Sequence, residues 1–203
     1  MKDRIEGAYD SLNKYDCTKV HLSNASLNLE VIQELCKRLI KHPTIEHLDL
    51  SHNEIKDEGA IELSKMLIQQ GSIRTLNLYG AHITDVGAAF IVETLKGEFN
   101  ISLQELDLGG NPITNKTAIA LAENLTDNNT LVRLVLRDTM IEDTGIQTLL
   151  TALSKNVSLN DLVIGTKLKL SKDTQTRLFL YLKSNREKRQ AFFEACDLRR
   201  KTC

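Results

Sequence analysis

The chain has 203 residues, with 26 lysines and arginines against 27 aspartates and glutamates, so its formal net charge is −1 at neutral pH. This balance gives no strong electrostatic footprint for nucleic acid or a membrane surface, and no run of about 18 apolar residues predicts a membrane span. The length suits one domain, and the N-terminal residues lack the apolar run of a signal peptide. The four cysteines are scattered, so we expect a reducing compartment, either the cytoplasm or a host cytosol reached by translocation.

The first 16 residues predict a helix. Ile5, Tyr9 and Leu12 recur at helical spacing and would form one apolar side. No Gly/Ser-rich or Pro-rich boundary separates this segment from the remainder of the chain. We therefore expect the helix to pack against the rest of the domain.

A pattern of about 28 residues then recurs six times. The copies open at Cys17, Ile45, Ile73, Leu103, Leu131 and Leu159. The third copy carries two extra residues around GEFNIS, and the sixth gains one near residues 167–170. A fixed period of this length is typical of a solenoid, in which each unit buries its apolar side only against its neighbours.

Each copy begins with a predicted strand. Apolar residues stand at its first, fourth and sixth positions, as Ile45, Leu48 and Leu50 do in the second copy. The alternation with polar residues is the period of a strand with one buried face, so positions three, five and seven face outward. Because successive strands are joined through helices, they must run parallel.

A predicted helix comes after each strand. Two residues after the apolar residue at position eleven comes an acid or amide that we predict as the N-cap, since such side chains accept from exposed helix-start amides. These residues are Asp57, Asp85, Asn115 and Asp143. Apolar pairs four residues apart, such as Leu63 and Leu67, then predict one buried stripe. Glycine occupies one column near the helix start, where a missing side chain would let the neighbouring repeat approach, at Gly59, Gly87 and Gly145.

Residues 45–58, IEHLDLSHNEIKDE, and residues 103–114, LQELDLGGNPIT, resemble the leucine-rich repeat in its long, ribonuclease-inhibitor-like form. The resemblance covers about residues 17–182 and implies an α/β solenoid, a right-handed horseshoe arc with a concave parallel sheet and outer helices. Asn53 and Asn111 match the asparagine that hydrogen-bonds the turn backbone in this family. Other residues replace it in the remaining copies, so we expect an incomplete ladder: Ala25, Ala81, Thr139 and Lys167.

The domain organisation reflects the need of a solenoid for caps at its two ends. We predict an N-terminal cap helix at 1–16, six repeats at 17–182, and a C-terminal cap helix with a basic tail at 183–203. Phe192, Phe193 and Cys196 supply an apolar side for the second cap. The seven cations and three acids of the tail indicate a solvated cap face, or alternatively a contact for an acidic partner, nucleic acid or membrane.

Three outward columns cross the predicted concave face, because equivalent residues on strands about 4.8 Å apart form ladders. Position three contains Lys19, His47, Thr75, Glu105, Arg133 and Asp161. Position five contains His21, Asp49, Asn77, Asp107, Val135 and Val163. Position seven contains Ser23, Ser51, Tyr79, Gly109, Arg137 and Gly165.

These columns supply the candidate partner-binding residues. Alternating charges predict lateral pairing among Glu105, Arg133 and Asp161, although direct contact with a partner is an alternative. Val135 and Val163 should be exposed neighbours. Because aromatic and arginine side chains are favoured anchors, the hot-spot candidates are Tyr79, Arg133, Val135 and Arg137. The full predicted set adds His47, Asp49, Asn77, Glu105, Asp107 and Asp161; the alternative is that all are ordinary surface residues.

The sequence does not indicate chemistry on this face. His47 and His52 lie about 16 Å apart along an extended segment, too far for one metal ion. Asp49 and Asp107 lie about 10 Å apart, beyond the spacing of a glycosidase pair. Neither a GxxxxGK[ST] nor a GxGxxG loop occurs. We expect no catalytic residues, no metal, no cofactor and no small-molecule substrate.

We therefore predict a non-enzymatic protein-binding module, acting as a monomeric scaffold, inhibitor or adaptor. One alternative is a secreted bacterial or parasite effector that binds a host protein. Another is a regulator of a small GTPase or the cytoskeleton. Binding of nucleic acid or a membrane would depend on the basic tail alone, and we expect neither.

Overall fold

The computed structural model describes residues 2–12, 17–97, 99, 102–166, 168–184 and 187. The helices are α1 (Lys2–Leu12), α2 (Leu29–Ile40), α3 (Lys56–Gln70), α4 (Asp85–Glu93), α5 (Asn115–Leu125), α6 (Asp143–Leu153) and α7 (172–184). The strands are β1 (Lys19–His21), β2 (His47–Asp49), β3 (Thr75–Asn77), β4 (Glu105–Asp107), β5 (Arg133–Val135) and β6 (Asp161–Val163). In the described part of the chain, no helix combines the length and apolar character needed to cross a membrane.

The six strands form one parallel sheet in chain order. Each strand occupies positions three to five of its repeat, and equivalent positions stand opposite each other. Thr75, for example, is in register with His47 on one side and Glu105 on the other. Strands alternate with helices in the predicted α/β repeat solenoid, with the sheet on the inner side and the helices outside. The predicted fold class is therefore confirmed.

The core lies between the sheet and the helices. The central strand residue of every repeat is at most 3% exposed, at Val20, Leu48, Leu76, Leu106, Leu134 and Leu162. The helical stripe meets these residues through pairs such as Leu63 and Leu67, which are also buried. Burial of one such side chain contributes about 1.5–3 kcal/mol, so this repeated contact is the main source of stability.

Asn53 hydrogen-bonds the turn backbone, as the resemblance implied, and its bonds also join two repeats. Its Oδ1 accepts from Ala25 N at 2.9 Å and Leu27 N at 3.2 Å in the preceding repeat. Its Nδ2 donates to Leu22 O at 2.8 Å and to Leu50 O at 2.9 Å. Ala25 occupies the equivalent position of the preceding repeat. The side chain of Asn53 therefore supplies the hydrogen-bonding group that Ala25 lacks.

Asn111 repeats this arrangement between the third and fourth repeats. Its Oδ1 accepts from Ala81 N and Ile83 N, both at 3.0 Å, and its Nδ2 donates to Leu78 O at 2.8 Å. The ladder of turn asparagines is thus incomplete, as predicted. Each asparagine nevertheless hydrogen-bonds the turn of the preceding repeat, which has alanine at this position. Buried turn amides are thereby paired in the first and third repeats. Lys167, at the same position of the sixth repeat, lies outside the described residues.

A second amide ladder, which was not predicted from the sequence, lies at the opposite edge of the sheet. Position 26 holds Gln70, Asn128 and Asn156 in the second, fourth and fifth copies. Asn156 Oδ1 accepts from Leu159 N at 2.7 Å, and its Nδ2 donates to Leu125 O at 2.6 Å. These side chains fix the segments that lead from α3, α5 and α6 into the strands that follow.

The N-cap predictions are wrong. Helices α4 and α5 have Thr84 and Thr114 as N-caps, whose hydroxyls accept from Val86 N at 3.2 Å and Lys116 N at 3.3 Å. Ile55 and Glu142 precede α3 and α6 without a side-chain cap bond. The predicted caps all lie inside their helices, at Asp57, Asp85, Asn115 and Asp143.

These four side chains instead cap the helix-start segment of the next repeat, and we call them the inter-repeat capping ladder. Asp85 shows the fullest set: its carboxylate accepts from Thr114 N at 2.8 Å and Thr117 N at 3.3 Å, and from both threonine hydroxyls. In equivalent bonds, Asp57 accepts from Thr84 N, Asn115 Oδ1 accepts from Glu142 N, and Asp143 accepts from Ser171 N. A negative or acceptor group at a helix start is favoured by the exposed amides there.

The glycine column makes room for this ladder. A Cβ at Gly87 would lie 2.5 Å from Asp57 Oδ1, and one at Gly145 would strike Asn115 Oδ1. In α5 the same column holds Thr117, whose hydroxyl lies 2.6 Å from Asp85 Oδ1 and bonds to it. The predicted close approach is confirmed at Gly87 and Gly145, and the group that approaches is the capping side chain.

The two ends of the stack differ. In α1, Leu12 is buried, and Ile5 and Tyr9 pack against the core. In α7, Phe179 and Leu180 are 64% and 57% exposed. The predicted C-terminal cap, with Phe192, Phe193 and Cys196, lies outside the described residues, as does almost all of the basic tail.

Candidate protein-binding face

Position three forms the most polar column of the face. Arg133 Nη1 makes an ion pair with Asp161 Oδ2, as the alternating charges predict. No nitrogen–oxygen distance within 4 Å joins Arg133 to Glu105, because the guanidinium is committed to the strand on its other side. His47 Nδ1 lies 3.1 Å from Thr75 Oγ1, within hydrogen-bonding distance. Glu105 is thus exposed and available to a partner.

Position five is partly occupied by local hydrogen bonds. Asn77 Oδ1 accepts from the amide of Tyr79, two residues later, at 3.0 Å, and Asp107 Oδ1 accepts from Gly109 N at 2.8 Å. Asp49 Oδ1 accepts in the same way from the amide and hydroxyl of the serine two residues later. Three predicted contact residues therefore also hold the strand-exit turn, and only part of each side chain can face a partner.

Asp107 is the carboxyl on this face most affected by burial. Burial raises its pKa above the ordinary value, against the opposing influence of the Gly109 N–H, Arg137 and Arg133, while Asp49 adds to the rise. The two arginines thus partly offset the desolvation of this carboxylate without an ion pair at contact distance. The face therefore has a half-buried acid at its centre.

The prediction that Val135 is exposed is wrong. Its side chain is only 6% exposed, whereas Val163 is half-buried. Val135 stands in register between Asp107 and Val163, and the longer arginines at positions three and seven of its own repeat flank it. A short side chain on an inward-curving sheet lies below such neighbours. Val135 therefore packs beneath the longer side chains and exposes little surface to a partner.

Position seven contains the most specific contact of the face. The guanidinium carbon of Arg137 lies 4.7 Å from the centre of the Tyr79 ring, in a cation–π geometry. The Tyr79 hydroxyl donates to Asp138 Oδ2 at 3.2 Å. Tyr79 and Arg137 belong to the third and fifth repeats, so the ring crosses the whole of the fourth. Two hot-spot candidates are therefore brought together.

Glycine beneath the ring permits this crossing. A Cβ at Gly109 would lie 2.9 Å from Tyr79 Cδ2, and a Cβ at Gly110 would lie 3.0 Å from Tyr79 Cζ. His52 closes the other side of the ring, edge-on, with centroids 5.2 Å apart. We call His52, Tyr79, Arg137 and Asp138 the rim cluster, because they lie where the strands leave the sheet.

Two members of this cluster, His52 and Asp138, were not among the predicted contact residues. Both occupy position eight of their repeats and have left-handed backbone, with φ of 55° and 57°. The left-handed backbone at position eight reverses the chain direction after the strand. The side chain at position eight is thereby placed against side chains at position seven. The recurrence of Asn, His, Gly, Gly and Asp at position eight was the available signal.

The described residues contain no group of three or more His, Cys, Asp or Glu side chains arranged to hold a metal ion. His47 is bonded to Thr75, and His52 packs against Tyr79. Asp49 and Asp107 are two strands apart, with Asn77 between them in register. The face therefore presents charged and aromatic side chains in fixed positions.

The comparisons with known proteins agree with the fold. A family model described as Leucine Rich repeat matches residues 41–64 and 99–122, in the second and fourth copies. Because the other copies share the register of these two, the whole array has the fold of a leucine-rich repeat solenoid. No curated protein matches the sequence.

Two solved structures resemble the whole chain. One, titled "Leiomodin-1 Actin-Binding Site 2 (ABS2)", is 17% identical with a TM-score of 0.56, over 99% of this chain and 96% of the other. The second is a tropomodulin C-terminal domain from Caenorhabditis elegans, also 17% identical with a TM-score of 0.56, over 94% of this chain and 98% of the other. At this identity the likeness is one of fold.

Proposed function

We propose that the chain is a non-enzymatic protein-binding module that holds its partner on the concave face, with the rim cluster as the main anchor. The observation that carries this proposal is the Tyr79 ring, fixed on Gly109 and Gly110 and stacked against an exposed Arg137. Aromatic and arginine side chains dominate the energetics of protein interfaces. Here both are in place before a partner arrives.

Rigidity supports the same conclusion. Association loses free energy when side chains must be immobilised, at roughly 0.5–1.5 kcal/mol for each long side chain. Tyr79 is restrained by its ring contacts and by its hydroxyl bond to Asp138, and Arg133 is restrained by Asp161. A partner would therefore meet side chains that are already ordered.

The proposal is tested by affinity capture with the parent protein, Arg137→Glu and Lys155→Glu. Lys155 is exposed just after α6, away from the sheet, so it controls for charge reversal alone. We expect the parent and Lys155→Glu to retain the same proteins, and Arg137→Glu to lose them. Identical captured sets from all three proteins would reject the concave face as the binding surface.

Actin is the first partner to examine, because one of the similar structures is titled as an actin-binding site. The likeness is one of fold, so any binding residues would be those of this chain's own face. We expect co-sedimentation with actin filaments, or a gel-filtration shift with monomeric actin, that Tyr79→Ala weakens by about tenfold or more. Retention of actin by Tyr79→Ala at parental strength would place actin binding elsewhere.

A cytosolic location fits the described cysteines. Cys17 and Cys36 are free thiols. Burial, followed by the charge of Glu62, raises the pKa of Cys36 to about 12, so this thiol is unreactive inside the first helix pair. We propose a reducing compartment, which thiol labelling in intact cells would test: Cys17 should be labelled without prior reduction.

A further inference from the structure

A small cavity beside the rim cluster adds a specificity site to the proposed face. It has a volume of about 260 Å³ and lies at the strand-exit edge between the fifth and sixth repeats. Leu136 and Ile141, which are 2% and 3% exposed, line it together with half-buried Leu168. Small-molecule sites span about 300–1,000 Å³, so this volume suits one side chain of a larger ligand.

Gly165 opens this cavity toward Arg137, and we call the site the Gly165 pocket. A Cβ at Gly165 would lie 3.3 Å from Asp138 N and 3.8 Å from Arg137 Cα. Glycines therefore flank Arg137 on both sides along position seven, at Gly109 and Gly165. The Tyr79 ring fills the space above Gly109, whereas no side chain of a described residue lies within 4 Å of a Cβ placed at Gly165.

The charges around the pocket select its ligand. Lys169 lines it, and Arg137 precedes the lining residue Asp138 in the chain; neither cation forms an ion pair with a residue in the described part of the chain. Asp138 also lines the pocket, and its Oδ2 accepts from the Tyr79 hydroxyl, so the two cations exceed this one acid by a single positive charge. This net positive charge beside an apolar cavity complements a carboxylate carried next to an aliphatic side chain. Arginine stacked on a ring also keeps its N–H edge free for such a carboxylate.

We propose that the Gly165 pocket receives an aliphatic side chain from an acidic segment of the partner protein, and that a neighbouring carboxylate of that segment bonds to Arg137 and Lys169. The inference deepens the proposed function, since it assumes that the partner lies on this face. The inference goes beyond the proposed function because it specifies that the partner carries an Asp or Glu next to a Leu, Ile, Val or Met.

The test uses a defined probe. A display library of random 12-residue peptides is selected on the intact protein, and fluorescence anisotropy then gives the affinity of an enriched peptide for each variant. Gly165→Val fills the space above Gly165, and Lys169→Glu reverses one pocket charge. Lys155→Glu is the matched charge control, and Glu105→Arg alters the wider face without touching the pocket. Thermal melts confirm that each variant is folded.

We expect enriched peptides to pair an acidic residue with an aliphatic neighbour. Gly165→Val and Lys169→Glu should each weaken binding by about tenfold or more, and Lys155→Glu by less than about twofold. Peptides without acidic residues, affinities unchanged by both pocket variants, or no enrichment at all would overturn the pocket.

The same panel separates this inference from the proposed function. Binding that depends on Glu105 but not on Gly165 or Lys169 would retain the face and remove the pocket. Binding that depends on the two pocket residues but not on Glu105 would retain the pocket as a site in its own right and count against the wider face.

Discussion

Position eight of the repeat shows how one backbone conformation shapes the face. Its residue has positive φ in the first five copies, at Asn24, His52, Gly80, Gly110 and Asp138. Glycine adopts this conformation freely, asparagine and aspartate tolerate it, and histidine adopts it at some cost. The turn brings side chains of position eight against those of position seven, which is how the rim cluster forms.

Replacing Gly110 should be destabilising for two separate reasons. An alanine there would hold φ near +65° and place Cβ 3.0 Å from Tyr79 Cζ. We expect Gly110→Ala to lower the free energy of unfolding by about 1–2 kcal/mol, as measured by urea denaturation. Gly97→Ala is the control, because its Cβ would only meet Asp127 O at 3.7 Å. Equal stability of the two variants would contradict this explanation.

Asn53 should be among the most sensitive polar positions. Asn53→Ala removes the acceptor for two amides and the donor for buried carbonyls of two repeats. Each buried group left unpaired costs about 1–3 kcal/mol, so we expect a loss of at least about 3 kcal/mol in the free energy of unfolding. Thermal melts would measure it, beside Gln104→Ala at an exposed position. A loss no larger than that of Gln104→Ala would show that water satisfies the turn.

At the scale of the element, helices α4 to α7 each depend on the repeat before them. The inter-repeat capping ladder supplies acceptors to helix-start segments across the boundary, while Thr84 and Thr114 provide caps within their own repeats. Sequence patterns reveal caps within a segment but not acceptors that arrive from about 28 residues away. The helices were therefore predicted correctly, and their first-turn acids were assigned to the wrong helix.

Acid titration tests the ladder at Asp85. Burial alone raises the pKa of Asp85, but hydrogen bonds from Thr114 and Thr117 outweigh it and hold the pKa below its ordinary value. Such a carboxylate stabilises the fold above the unfolded pKa, about 3.9, and this contribution is lost as pH falls through the lower folded pKa. We expect Asp85→Ala to cost about 1–2 kcal/mol at pH 7 and less in acid.

Urea denaturation at pH 7 and in acid would measure this difference, with Asp127→Ala, at an exposed position, as the control. The pKa of Asp143 is lowered too, first by the Thr174 hydroxyl, so Asp143→Ala should show the same direction. If the free energies of unfolding of the parent and Asp85→Ala differ by the same amount at both pH values, the carboxylate charge is not involved.

At the scale of the molecule, the sequence predicted the sheet well because its signals are local and repeated. Apolar residues at positions four and six identified every strand, and the constant period fixed the register of Thr75 with His47 and Glu105. The rim cluster could not be derived in this way. Tyr79 reaches Arg137, 58 residues later, only because position seven of the intervening repeat has no side chain.

The burial of Val135 was mispredicted for a related reason. The alternation of apolar and polar residues assigns a residue to one face of a strand. It does not show how far the neighbouring side chains extend over that residue. Val135 points to the predicted face and is nevertheless buried. Conversely, the ion pair of Arg133 with Asp161 was predictable, since adjacent strands in register bring opposite charges together.

A solenoid in which each repeat contacts its neighbours should respond differently to damage at its end and at its centre. Leu12 and Leu106 are both 1% exposed, in α1 and β4. We expect Leu106→Ala to cost about 2–5 kcal/mol and to raise amide exchange throughout the chain. Leu12→Ala should raise exchange in β1 and α2 while β5 stays protected, as hydrogen-exchange mass spectrometry would show. Loss of protection in β5 from Leu12→Ala would instead indicate one cooperative unit.

The turn asparagines imply a larger building block than the 28-residue copy. Asn53 completes the turn that holds Ala25, and Asn111 completes the one that holds Ala81. A lone copy with alanine would lack its acceptor, whereas a doublet carries both halves of the arrangement. Gene duplication or protein engineering that lengthens this array should therefore succeed with tandem doublets, and excision of the second or fourth copy alone should leave turn amides of the preceding copy without their acceptor.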